Sequence, residues 1–168
     1  MDHAAISQLF DDMYWVNHRL LDAAGRLPRS ELTREAATTR NLRATLVHEL
    51  DVEWSWRLAL QGRPIEELGE DVELRPEDYP DLESIRRHWA RDEAEMRAWL
   101  DSLADEQLAA EIVPALSDDS RPLSQYLLHI VFHAAQQQAD AATLLTAAGE
   151  SPGELGFLEY LRSAGRAG

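Results

Sequence analysis

Four long stretches of this chain repeat their apolar residues at helical spacing, and the surrounding glycines and prolines mark where each begins or ends. The first runs from Ala4 to Ala24, with Ile6, Leu9, Phe10, Met13, Asn17, Leu20 and Ala24 on one stripe and Gly25 placed to end it. The second runs from Leu42 to Gln61 and stops at Gly62-Arg63-Pro64. The third begins after Pro80 with Asp81 as its N-cap, and carries Leu82, Ile85, Trp89, Met96, Leu100 and Leu103. The fourth begins near Pro122, a residue suited to a first turn, and carries Leu123, Leu127, Ile130, Ala134, Ala141, Leu145 and Ala148 before Gly149. Strand formers are scarce: Val, Ile and Thr number 17 against 49 Leu and Ala.

Polar connections at 26–41, 62–80 and 104–121 are long enough to cross the end of a bundle, and the third contains Ile112-Val113-Pro114, a short extended piece. Glu154 to Arg162 has room for a short last helix. The pattern predicts an all-α, up-down four-helix bundle with long connections and a short C-terminal helix, as one domain over 1–168.

Two of the helices are apolar on two sides. The second has one face with Leu46, Val47, Leu50 and Trp54, and another with Thr45, His48, Val52, Trp56 and Ala59. The fourth carries Leu128, Phe132, Ala135 and Ala139 behind its main stripe. A helix apolar on both faces is covered on both. A second subunit is the simplest cover, which predicts a homodimer through Leu128 and Phe132; the chain's own long connections are the alternative cover.

Absences narrow the chemistry. There is no cysteine, so disulfides, thiolate metal sites and a cysteine nucleophile are excluded. All 16 basic residues are arginine, so a phosphate-loop lysine, a Schiff-base lysine and a lysine general base are excluded too. A net charge of −15 disfavours nucleic acid and an anionic membrane surface. The opening Met1-Asp2-His3-Ala4-Ala5 lacks the pattern of a secretory leader, and no apolar run approaches the ~20 residues of a membrane span. The expectation is a cytoplasmic chain acting on a small molecule.

With no thiols, a metal would need imidazole, carboxylate or amide ligands. Of the six histidines, His129 and His133 stand four apart on the fourth helix. On its wheel Gln137 and His133 turn towards the interior and His129 sits at the edge. A buried amide needs a partner, so Gln137 and His133 imply either a hydrogen bond between helices or a pocket or metal site. His48 packs beside Trp56 or joins such a site. His3, His18 and His88 are expected at the surface or in ordinary packing. Glu49, Asp51 and Glu53 flank His48 and are expected to be solvated or paired with arginine, leaving no separate general base. Asn17 either lines a pocket or is a satisfied core amide.

The run Leu46-Val47-His48-Glu49-Leu50-Asp51-Val52-Glu53-Trp54-Ser55-Trp56 resembles the second-helix motif of the DinB/YfiT-like superfamily. The stretch Leu127-Leu128-His129-Ile130-Val131-Phe132-His133-Ala134-Ala135-Gln136-Gln137-Gln138 is similar to its fourth-helix motif, Trp15 and Asn17 fit its first, and the ending Leu144 to Leu158 is also similar. The resemblance covers almost the whole chain and implies a four-helix bundle, often dimeric. It also implies a divalent metal, zinc or nickel, held by one histidine on the second helix and two on the fourth, and used by some members in S-transfer or isomerisation with a low-molecular-weight thiol. Carried onto this sequence, the ligand positions are His48, His133 and 137, where a glutamine stands; the family's following arginine is Gln138. His129 matches a common histidine of the motif that is not usually a ligand. Three outcomes stay open: a site of His48, His133 and Gln137; recruitment of His129 as third ligand; or a metal-free bundle serving as a binding or interaction module.

Overall fold

The computed structural model describes residues 1–36, 39–63 and 73–165. Its helices are α1 (His3–Ala24), α2 (Leu42–Leu60), α3 (Leu82–Asp101), the short α4 (Asp105–Ala109), α5 (Leu123–Ala147) and α6 (Phe157–Ala164). A two-residue ladder pairs β1 (Glu111–Ile112) with β2 (Arg121–Pro122) antiparallel. The all-α bundle with long connections and a short final helix is the expected class.

Local chemistry sets the helix ends. The Asp2 carboxylate accepts from the Ala5 N–H at 2.9 Å and the Asn41 side chain from Ala44 N–H at 2.9 Å. Asp81 and Ser84 close a reciprocal capping box at α3. Gly62 and Gly149 take φ of +74° and +91°, so each chain reversal after α2 and α5 needs a residue without Cβ. Pro122 stands just before α5, in the ladder, rather than inside its first turn. Pro64, expected to stop α2, lies outside the described residues.

Side-chain pairs give the helix directions. His18 meets Glu93 while Arg97 meets Asp11, so α1 and α3 are antiparallel. Glu53 meets Trp89 and Arg57 meets Asp92, so α2 and α3 run the same way. The up-down alternation therefore holds for α1 with α2 and for α3 with α5. Between α2 and α3 the chain instead returns to the starting end, which is why that connection is long.

The core is two apolar clusters stacked along the bundle axis. One contains Leu20, Leu46, Leu50, Ile85, Trp89 and Leu145; the other contains Ile6, Phe10, Met96, Leu127 and Ile130. Between them every long helix contributes buried polar side chains: Asn17 from α1, Glu53 from α2, Asp92 from α3, and Gln137 and Gln138 from α5. The back of α5 is divided: Leu128 is half-buried against its own chain, whereas Phe132 is 64% exposed. No helix among the described residues is long and apolar enough to cross a membrane.

Candidate functional site

The seam between the antiparallel α2 and α5 brings together residues 85 positions apart. His48 and His133 approach with their Nε2 atoms 3.2 Å apart and their rings nearly perpendicular. Both rings are half-buried. Burial lowers the pKa of His48, with Arg40 adding to the effect. Burial, then the neighbouring His48 and His129 and Arg40, pull His133 down to about 4. Both imidazoles are therefore neutral at physiological pH, the form that ligates a metal. The bare pair is held by one N–H···N hydrogen bond.

Gln137 lies one turn beyond His133 on the same face. It is buried, and its Oε1 has no hydrogen-bond partner. Such an orphaned acceptor costs ~1–3 kcal/mol. His129 is exposed, and its ring lies edge-on to Trp56 with centroids 5.0 Å apart, 6.4 Å from the His133 ring. Among the described residues no three His, Asp or Glu side chains are grouped to hold a metal ion. The donor set that fits one is two imidazoles and an amide. Nitrogens bound to one tetrahedral ion at ~2.0–2.1 Å stand about 3.3 Å apart; the observed separation of 3.2 Å matches that span.

Behind the seam lies a feature the sequence reading misplaced. Glu49 and Glu53 are buried rather than solvated, Asp51 is half-buried, and among the described residues none of the three shows a hydrogen bond or ion pair with arginine. Glu53, 1% exposed, accepts from the Tyr14 hydroxyl and from Trp89 Nε1 at 3.0 Å. Burial and the nearby Asp92 raise its pKa to about 8. Glu49 is equally buried and makes no close hydrogen bond; burial and the Glu53 charge push its pKa well above the carboxylate range, opposed in part by the Gln138 and Asn17 amides beside it. Asp51 accepts from the Leu74 N–H at 2.8 Å and ties down the connection after α2. The missed signal was positional, since Leu46, Glu49, Leu50, Glu53 and Arg57 share one helical face.

Asn17 is the satisfied core amide at its oxygen. Gln138 Nε2 donates to Met13 O at 3.1 Å, which fixes the orientation of that amide, and also to Asn17 Oδ1 at 2.7 Å. The three remaining histidines do ordinary work: His3 bonds the Leu100 carbonyl, His18 pairs with Glu93, and His88 bonds the Tyr79 hydroxyl.

No curated protein matches the chain. Among solved structures it is similar to "Sibling Lethal Factor Precursor - DfsB", with TM-score 0.60 and 16% identity over 81% of this chain and 92% of that one, a likeness of fold alone. The DinB family matches residues 1–167, nearly the whole chain, including the two helices that bring His48 and His133 together. The chain belongs to the DinB family.

Proposed function

We propose that this chain is a metal-dependent DinB protein in which His48, His133 and Gln137 hold one divalent ion, zinc or nickel, at the α2/α5 seam. The single observation that carries this reading is the pair of neutral imidazole nitrogens 3.2 Å apart, with the orphaned Gln137 Oε1 one turn along the same face. The proposed activity is S-transfer from a low-molecular-weight thiol, or hydrolysis, on a small molecule. Such an ion supplies Lewis acidity, lowering the pKa of a thiol or water that ligates it. The chain has no cysteine, so any thiol must arrive as a cosubstrate. His48 and His133 present unprotonated nitrogens, while Gln137 adds a neutral donor without charge. That donor set is weaker for zinc or nickel than three imidazoles.

The test is metal analysis of tag-free protein, as purified and after loading with zinc or nickel. One equivalent should bind, and His48→Ala and His133→Ala should each lose it. Gln137→His, which restores the family's third imidazole, should bind at least tenfold more tightly. No stoichiometric metal after loading overturns the reading.

One observation favours a second reading, a metal-free binding or interaction module. The His48–His133 hydrogen bond already occupies the two nitrogens, and a neutral amide replaces the third imidazole. In that case Gln137→His gains a metal that the natural chain lacks. In either reading we propose a cytoplasmic homodimer covering the exposed Phe132 beside the half-buried Leu128. Light scattering at micromolar concentration should give twice the 19.0 kDa chain mass, and a monomer removes the dimer.

A further inference from the structure

We infer that the aromatic shelf beside the two histidines, built by Trp56, Tyr126 and His129, is the binding surface for a planar, uncharged aromatic or conjugated substrate. This deepens the reading above and rests on the α2/α5 seam being the place of reaction.

Trp56 on α2 stacks on Tyr126 of α5, with centroids 5.4 Å apart and planes 26° apart. His129 meets Trp56 edge-on at 5.0 Å, and His133 follows at 6.4 Å from His129. The rings Tyr126, Trp56, His129, His133 and His48 therefore form an unbroken line along one seam, ending on the nitrogen pair. Tyr126 is buried and its hydroxyl donates to the Asp119 carbonyl, so the inner end of the shelf is anchored. Trp56 is half-buried and His129 exposed, so the outer end is open to solvent. A wall that served only the core would be closed along its length. This one leaves ring surface accessible within reach of the histidine pair.

The chemistry of the rim selects the class. Ring faces and edges recognise planar π systems by offset stacking and edge contacts worth ~0.5–1.5 kcal/mol beyond area burial. One arginine, Arg40, acts on both histidines, Glu73 acts on His48 with the opposite sign, and the whole chain is acidic. The seam thus offers flat apolar area without the dense positive field that an anionic substrate would need.

The experiment is a titration of the tag-free, metal-stripped, full-length chain with 2-naphthol, followed by the indole N–H signals of its five tryptophans. The Trp56 signal, assigned with Trp56→Phe, should shift saturably, while those of Trp15, Trp54, Trp89 and Trp99 stay in place. Trp56→Phe should keep affinity within about threefold, and Trp56→Ala should lose about tenfold. His129→Ala, at an exposed position that does not threaten folding, should lose several-fold and decides the matter if Trp56→Ala is unfolded. Shifts spread equally over the other tryptophans, the absence of saturation, or His129→Ala binding like the natural chain overturns the inference. Because the protein is metal-stripped, naphthol binding survives a failure of the metal reading. Metal uptake without a Trp56 shift removes the shelf alone.

Discussion

Helix α2 faces two polar environments that are built on opposite terms. On its outer side His48 meets His133, two neutral imidazoles at a half-open seam joined by one hydrogen bond. On its inner side Glu49, Glu53 and Arg57 enter the centre of the bundle, where they are at most 3% exposed and meet Tyr14, Trp89 and Asp92. Breaking an interior partner strands a charge or a donor in a dry site. The seam has little to lose, because water reaches it, and much to gain from a ligand that uses its nitrogens. The interior polar layer joins α1, α2, α3 and α5, and the register it holds brings His48 and His133 together at the seam.

The largest test of this contrast is Arg57. Its guanidinium bonds Asp92 through both Nε and a terminal nitrogen and reaches Glu95 at 2.8 Å. Arg57→Met leaves Asp92 buried without its counter-charge and should cost about 3–5 kcal/mol in urea denaturation. Adding Asp92→Leu should recover most of that loss. If the double variant is as unstable as the single, the interior pair is not the cause.

Glu53 and Glu49 give the next comparison, one turn apart on the same face. Glu53→Leu strands the Tyr14 hydroxyl and the Trp89 N–H and should cost about 2–4 kcal/mol. Glu49 has only the Asn17 and Gln138 amides beside it and no close hydrogen bond, so Glu49→Leu removes a desolvated carboxyl and should cost at least about 1 kcal/mol less than Glu53→Leu. A loss at Glu49 as large as that at Glu53 would show that Glu49 has a partner equivalent to Tyr14.

These residues also mark what the sequence made legible. Helix spans, the Asp81 cap and the inward turn of Gln137 followed from apolar spacing, because a 3.6-residue period records which face is dry. The meeting of His48 with His133 came from the family resemblance, since no local pattern encodes a contact across 85 positions. Glu49 and Glu53 were misplaced because acidic residues on a helix usually mark its wet side; here they occupy the dry one, Glu53 against Tyr14 and Trp89 and Glu49 beside Asn17 and Gln138. Asp92 carried a readable signal: it continues the stripe of Ile85, Trp89 and Met96, where a carboxylate needs a buried cation. The direction of α3 was not legible, since connection length alone does not say whether a chain turns back or crosses over.

The two regions also titrate in opposite senses. Glu53 moves from an ordinary 4.5 to about 8, so the folded state keeps a proton that the unfolded chain releases. Its contribution is complete below pH 4.5 and is lost as pH rises towards 8. His133 moves from 6.5 to about 4, so the unfolded chain takes up a proton that the folded state refuses, and stability falls as pH drops from 6.5 to about 4. Between pH 6.5 and 8 Glu53 alone of these two titrates, and Glu53→Gln should flatten the decline measured there by thermal melts. Between pH 4.5 and 6.5 the two slopes oppose one another, and His133→Asn should remove the His133 share, leaving a variant that gains stability as pH falls through that window. A Glu53→Gln profile parallel to that of the natural chain removes the interior carboxyl as the source.

The smallest expected effect is the most discriminating for the seam. In metal-stripped protein the histidine pair contributes one neutral hydrogen bond at a half-buried position, worth about 0.5–1.5 kcal/mol. His48→Ala and His133→Ala should therefore shift the unfolding midpoint only slightly, far less than Arg57→Met. With zinc at a hundredfold excess over its dissociation constant, the natural chain should gain about 2.7 kcal/mol, because a ligand bound only by the folded state stabilises it by mass action. Both alanine variants should gain nothing. If they lose several kcal/mol without metal, the seam is a core contact like those behind it, and the contrast between the two faces of α2 disappears. If they are nearly silent without metal and fail to respond to it, that stability gain is assigned to a ligand held by these two nitrogens.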